Sequence, residues 1–311
     1  MIRNRFRRAI TCGSVVLTLA LATAAGCQPD DAGPPSVDEL LRKSRIWQRP
    51  TLKIGVAANE PLMGESKDGV RSGFDVEIAR YLARSLGFTN ESDIEFVTVR
   101  TDERIRFLTA GHVDMVVASL SYTEERAKQI GMAGPYFVTS QAFLVPKSSE
   151  ATLRNEDDFI QNKVKVCTSG SSTTEDELTR RGFTRSVVLD LQDCVNGLLT
   201  GKYGAMSTDK TILAGYYSQH PTQLAYVQLP LGADESLRVG VPITDTALRD
   251  LVGYFLKKSY NEGRNTGASP WLTAYNNTLG PFYLADVDRM SQPEPLNVPD
   301  IVDHDDKVSP K

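Results

Sequence analysis

Residues 113–120, VDMVVASL, form an apolar run with no polar alternation after Asp114. A strand with water on one face alternates polar with apolar. A strand that does not alternate is covered on both faces, which suits a parallel sheet packed between helices. The surrounding pattern agrees. LKIGVAA (52–58) reads as a strand, and GFDVEIARYLARSLGF (73–88) as a helix with Ile78, Leu82 and Leu86 on one face and Asp75 near its start. IEFVTV (94–99) reads as a strand, and ERIRFLTAG (103–111) and TEERAKQI (123–130) as helices. GMAGPYF (131–137) reads as a break, and QAFLVPK (141–147) as a strand. A second series starts at residue 163. KVKVCTS, SVVLDL and GAMST are strands that alternate with helices over TTEDELTRRG, QDCVNGLLTG and DKTILAGYYSQ. The strands LAYVQLP and LRVGVPI follow, then a long helix over 244–263 and a short one over SPWLTAYNNT. Two successive βαβ series predict two α/β lobes. Spacing does not give the strand order.

The two ends differ from this middle. MIRNRFRR is a cationic start, and the small and aliphatic run AITCGSVVLTLALATAAG follows it, ending at Cys27. This is the pattern of a secretory signal (1–27). ATAAGC resembles a bacterial lipobox, with Ala24 where leucine is commoner. That implies cleavage before Cys27 and its lipidation; a plain signal peptide cut at an A-x-A-like site is the alternative. Residues 28–50 are polar and proline-containing, which predicts a tether with a short helix at VDELLRKSRIW. Residues 283–311 are rich in proline and acid and are expected to be disordered.

Cysteine counting sharpens this reading. Cys12 leaves with the signal and Cys27 takes the lipid, so Cys167 and Cys194 can pair in one way only. An exported compartment permits that bond; two buried free thiols are the alternative. With 3 histidines and no His/Cys spacing, a metal site is not expected. A net charge of −4 argues against a general nucleic-acid binder.

The stretch SLSYTEER (119–126) carries the chemistry. Ser121 followed by Glu124 reads as a capping box that starts a helix. A helix N-terminus offers free N–H groups to an anion. Arg126, early in that helix, can present a planar fork to a carboxylate. Ser119 and Ser121 add hydroxyl and backbone donors. The stretch reads as a clamp for a small carboxylate, or alternatively as an ordinary capped helix with a solvated arginine.

GFDVEIARYLARSL matches the signature of the family 3 extracellular solute-binding proteins, which serve polar amino acid ABC transporters. The resemblance continues in order through RIRFLTAGHVDMVVASLSYTEERAKQI, GPYFVTSQAFLVPK, KVCTSGSSTTEDEL and DCVNGLLTGKYGAMSTDKTILAGYY, and covers roughly residues 51–276. Within the family the chain is most similar to the glutamate/aspartate and glutamine branch, including the cysteine pair and the phrase TD-x-x-ILAGY.

The resemblance implies a type II periplasmic-binding-protein-like fold, in which two α/β lobes joined by a two-strand hinge close on an amino acid. Lobe 1 would hold 51–140 and 241–282, and lobe 2 would hold 143–236. QAFLV and SLRVGV would be the crossing strands. Ser119, Ser121 and Arg126 match the α-carboxylate clamp. Asp209 matches the acid that pairs with the α-ammonium. Ser171, Ser172 and Thr173 match a turn that closes over the ligand. Thr101 and Arg104 match positions that hold a side-chain carboxylate in glutamate-binding relatives. Glutamate-binding relatives often carry a further cation after the first strand. Here Asn59 and Glu60 stand close by instead; Asn59 could serve an amide, and Glu60 would oppose an acid. Phe74, Tyr81, Tyr136 and Phe137 are expected to be packing residues.

The implied protein is a monomeric lipoprotein on the outer face of the cell membrane, with no cofactor. It would deliver glutamate or aspartate, with glutamine and asparagine open, to an ABC transporter permease. A sensor subunit for a membrane signalling protein, or an enzyme on the same fold such as a cyclic amino acid dehydratase, are the alternatives.

Overall fold

The computed structural model describes residues 33–283 and 291–304. The expected signal and Cys27 lie outside the described residues. In chain order the first part comprises α1 (Val37–Lys43), β1 (Leu52–Val56), β2 (Asn59–Glu60), β3 (Gly64–Lys67), β4 (Val70–Ser72), α2 (Phe74–Ser85), β5 (Ile94–Thr98), α3 (Arg104–Thr109), β6 (Met115–Val116), α4 (Glu124–Ala127) and β7 (Ile130–Pro146). There follow α5 (Glu156–Gln161), β8 (Val166–Ser169), α6 (Thr173–Arg180), β9 (Arg185–Val188), α7 (Leu191–Leu199), β10 (Ala205–Asp209), α8 (Lys210–Gln219), β11 (Leu224–Pro242), α9 (Thr246–Thr266) and α10 (Pro270–Asn277).

Eight strands join in the order β5-β1-β6-β11-β7-β10-β8-β9. The β5-β1-β6 end is parallel and belongs to lobe 1; the β10-β8-β9 end is parallel and belongs to lobe 2. Two long antiparallel strands, β7 and β11, run through both. They are the hinge of a type II periplasmic-binding-protein fold. A small sheet, β2-β3-β4, packs beside α2 and, through β2, against α7 and α8.

The hinge differs from the sequence expectation. GMAGPYF was expected to break the chain, yet it lies inside one 17-residue strand. LAYVQLP and LRVGVPI are likewise one 19-residue strand. Glycine and proline read as punctuation, but here a bulge absorbs them. Pairing runs from Val239↔Ala133 to Leu237↔Phe137 and skips Gly134 and Pro135, so the missing N–H costs no ladder bond. Further register shifts fall between Val227 and Leu231 and between Leu231 and Glu235, where the strands pass from one lobe to the other.

Each lobe has its own aromatic packing. In lobe 1, Phe74, Phe137 and Trp271 are buried with ring centroids 5.4–5.9 Å apart, and the Trp271 Nε1–H donates to the Tyr136 carbonyl. In lobe 2, Phe143, Phe159 and Phe183 form a triad at 4.7–5.9 Å. Each buried ring contributes on the order of 2–3 kcal/mol. Cys167 on β8 and Cys194 on α7 form a disulfide with Cα atoms 5.4 Å apart.

The ends also depart from expectation. Within the expected tether, Val37 and Ile46 are buried, and α1 packs on α9. Part of the expected disordered tail is ordered. Gln292 is buried, accepts from the Ser259 hydroxyl and donates to the Leu256 carbonyl. Val302 bridges to Ser36, with Val37 N–H to Val302 O and Val302 N–H to Pro35 O, each at 3.0 Å. A proline-rich composition says little about such long-range backbone pairing. Residues 284–290 and 305–311 lie outside the described residues.

Candidate functional site

An isolated backbone bridge to β11 decides the geometry of SLSYTEER. Ser121 forms a bridge with Leu237, and the Tyr122 N–H donates to Ser236 O. Ser121 therefore caps nothing. The N-cap is Thr123, whose hydroxyl accepts from the Arg126 N–H at 3.1 Å, and α4 is a single turn rather than the helix expected over 123–130. The shift turns the Arg126 side chain back toward the cleft. Its Nη1 donates to Ser121 O at 2.8 Å and its Nη2 to Ser171 O of lobe 2 at 3.1 Å.

Ser119 takes a left-handed backbone, φ 45°, which is uncommon for serine. In that conformation its N–H donates to Asp75 Oδ2 at 2.8 Å. Its hydroxyl lies 3.2 Å from Asp75 Oδ2 and 3.3 Å from Glu60 Oε2. Arg104, at the start of α3, is buried and donates to the carbonyls of Thr101, Ala118 and Ser119.

From lobe 2, Ser172 caps α6 and accepts from the Glu175 N–H, while its own hydroxyl donates to Ser169 O. Glu175 reaches back to the Ser171 N–H at 2.8 Å, so the serine-rich turn is pinned from both sides. Thr173 accepts from the Gln141 side chain on the hinge. Asp209 ends β10 and begins α8 without capping it through its side chain.

These groups surround one interlobe cavity of about 20 Å³, large enough for a water or two. Thr101, Arg104, Ser119, Ser121 and Arg126 line it from lobe 1, and Ser172, Thr173 and Asp209 from lobe 2. Two residues from the sequence reading are not among the lining. Ser171 supplies only its carbonyl, to Arg126. Asn59 is replaced by its neighbour Glu60: successive residues of a strand face opposite ways, and on β2 it is Glu60 that is buried against the cavity. Asn59 accepts from the Tyr216 hydroxyl through its backbone carbonyl. Leu191 also lines the cavity and carries no motif signal; Thr208 and Ile212 line it as well and stand in the phrase TD-x-x-ILAGY, but were assigned no contact from the sequence. The lobes touch elsewhere too. A Cβ on Gly215 of α8 would stand 1.9 Å from Pro61 O.

The charges are incompletely matched. Among the described residues neither Arg104, Arg126 nor Asp209 joins an ion pair within 4.0 Å. Burial, helped by the neighbouring Arg104, pulls Arg126 down to about 10. Burial lowers Arg104 as well. Burial, with Glu235 and Glu60 close by, holds Asp209 well above the usual carboxylate range. The cavity thus has buried Arg104, half-buried Arg126 and buried Glu60 on one wall and buried Asp209 on the other.

A hinged two-lobe fold with a polar, charged cleft defines a protein that closes on a small solute. The family model for bacterial extracellular solute-binding proteins, family 3, matches residues 52–269, and the chain belongs to that family. The folded body therefore works outside the cytoplasm. Among its relatives, the glutamate-binding protein GluB of Corynebacterium efficiens is 26% identical over 275 residues, covering 85% of this chain and 90% of that one. The glutamine-binding protein of Geobacillus stearothermophilus is 27% identical over 223 residues, covering 67% and 83%. The solved structure of an ancestral arginine-binding protein bound to arginine aligns with a TM-score of 0.65 at 26% identity, covering 75% of this chain and 99% of that one.

Proposed function

We propose that this protein captures a polar amino acid between its lobes and passes it to the permease of an ABC transporter. Glutamate or aspartate is the favoured ligand class, with glutamine and asparagine the next. It works as a monomer held to the outer face of the cell membrane by lipid on Cys27. One observation carries the reading. Arg126 and Asp209 line the same buried cavity from different lobes, and each lacks an ion-pair partner among the described residues.

An α-carboxylate would take the Arg126 fork with the donors of Ser121, beside a Ser119 whose N–H and hydroxyl are held by Asp75 and Glu60, and an α-ammonium would take Asp209. Only a complete amino acid head group then bridges the lobes, so it binds the closed form better than the open one, as a population shift requires. In this reading Thr101 and Arg104 would take a distal carboxylate or amide, and Ser172 and Thr173 would close over it from lobe 2; all four line the cavity. Two of the relatives are named for glutamate and glutamine, which supports a ligand of that class.

The test is calorimetric titration of the purified protein, stripped of bound solute by unfolding and refolding, with glutamate, aspartate, glutamine and asparagine. Saturable one-to-one binding of at least one of the four supports the proposal. A folded sample that binds none of them overturns it.

A further inference from the structure

Glu60 is the one cavity-lining acid that the head group does not use. It shares a single hydroxyl with Asp75: Ser119 Oγ is 3.3 Å from one carboxylate and 3.2 Å from the other. One hydroxyl hydrogen cannot serve both. Asp75 is otherwise satisfied, by the Ser119 N–H and the Tyr136 hydroxyl, each at 2.8 Å. Glu60 has only the shared hydroxyl among its described side-chain bonds. When this pair holds an extra proton, Glu60 is therefore the group that takes it.

The groups facing Glu60 come from every element around it. Asp75 on α2, Asp190 at the start of α7 and Asp209 at the end of β10 oppose its charge. Arg104 on α3 favours it, with the guanidinium already bonded to three backbone carbonyls. The neutral hydroxyls of Tyr136 on β7 and Tyr216 on α8 complete the surroundings.

We infer that Glu60 selects the ligand's distal group by its own protonation: ionised, it accepts from a side-chain amide; protonated, it donates to a side-chain carboxylate whose other oxygen faces Arg104. This rests on the amino-acid reading above. Accepting an acidic side chain then draws up to one proton from solvent onto Glu60 above its pKa, and accepting an amide releases up to one below it. Burial and the nearby Asp75 raise the Glu60 carboxyl to about 7, so the choice falls near neutral pH.

The experiment is calorimetric titration of the whole protein with glutamate and with glutamine at about pH 6 and about pH 8.5, each in two buffers of different ionisation heat, for wild type and Glu60→Gln. A group titrating at about 7 sets the expectation: glutamate affinity falls about 30-fold across that range while glutamine affinity rises about tenfold. At the higher pH, glutamate binding takes up close to one proton. Glu60→Gln, which keeps a donor without a charge, binds glutamate equally at both pH values and more tightly than wild type at the higher. A level wild-type glutamate profile, a variant that keeps the wild-type slope, or glutamine binding without glutamate binding at either pH sinks the inference and leaves the amino-acid reading standing. Failure to bind either amino acid, with aspartate and asparagine also silent, sinks both.

Discussion

The two walls of the cleft solve the same problem differently. The lobe 1 wall is wired in advance: Arg104 is tied to three carbonyls, Ser119 to Asp75, and Asp75 to Tyr136. The lobe 2 wall is a capped turn plus Asp209, whose carboxylate makes no capping bond. Wiring a guanidinium to carbonyls fixes its position without neutralising it, so lobe 1 stays a preorganised receptor for negative charge. Leaving Asp209 without a cation makes lobe 2 the later and weaker participant. The contrast predicts that a ligand docks first on lobe 1 and that lobe 2 contributes chiefly by closing.

The largest effect that could break this contrast is Arg126→Ala. It removes the fork and the bond to Ser171 together, and is expected to weaken every amino acid at least about 100-fold, about 3 kcal/mol. Calorimetry that finds affinity retained within about tenfold would put the carboxylate clamp elsewhere. Next, Arg104→Ala should cost glutamate about 30-fold and glutamine only about threefold, since an amide needs no countercharge; equal losses would remove its selective role. Gly215→Ala should weaken binding about tenfold with little change in Tm, because the new Cβ meets Pro61 O only when the lobes are together. Scattering of the liganded variant should show a larger radius than wild type. Smallest in binding is Cys167→Ser with Cys194→Ser. Removing a 27-residue cross-link within lobe 2 should cost about 3–4 kcal/mol of stability in thermal unfolding, yet leave affinity within about twofold.

How much of this was legible in the sequence depended on the range of the forces involved. The helix over Phe74–Ser85 and strand β1 follow from local periodicity, and the pairing of Cys167 with Cys194 from counting in an exported chain, whereas of the strand expected over 113–120 only Met115–Val116 forms. The residues that gather at the cavity, Arg126, Asp209 and Ser119, stood in recognisable runs. What was not legible was decided at a distance. Whether Asn59 or Glu60 turns inward depends on the pleat of a two-residue strand paired to β3. Whether Ser121 or Thr123 caps α4 depends on a bridge to Leu237, far along the chain. The hinge strands hid behind Gly134 and Pro135 because a bulge forgives residues that would end an isolated strand.

The clasp between Ser36 and Val302 has a mechanical meaning. The folded body begins with a backbone pairing to its own end, and both segments lie on α9, inside lobe 1. A pull arriving at residue 34 runs into α1, α9 and the lobe 1 core, where α9 rests on β7 and β11. The load therefore enters on the lobe 1 side of the hinge and not across the two lobes. A leash attached at that end can drag, tilt or hold the molecule without prising its jaws apart, and lobe 2 is left to swing under the ligand's energy alone.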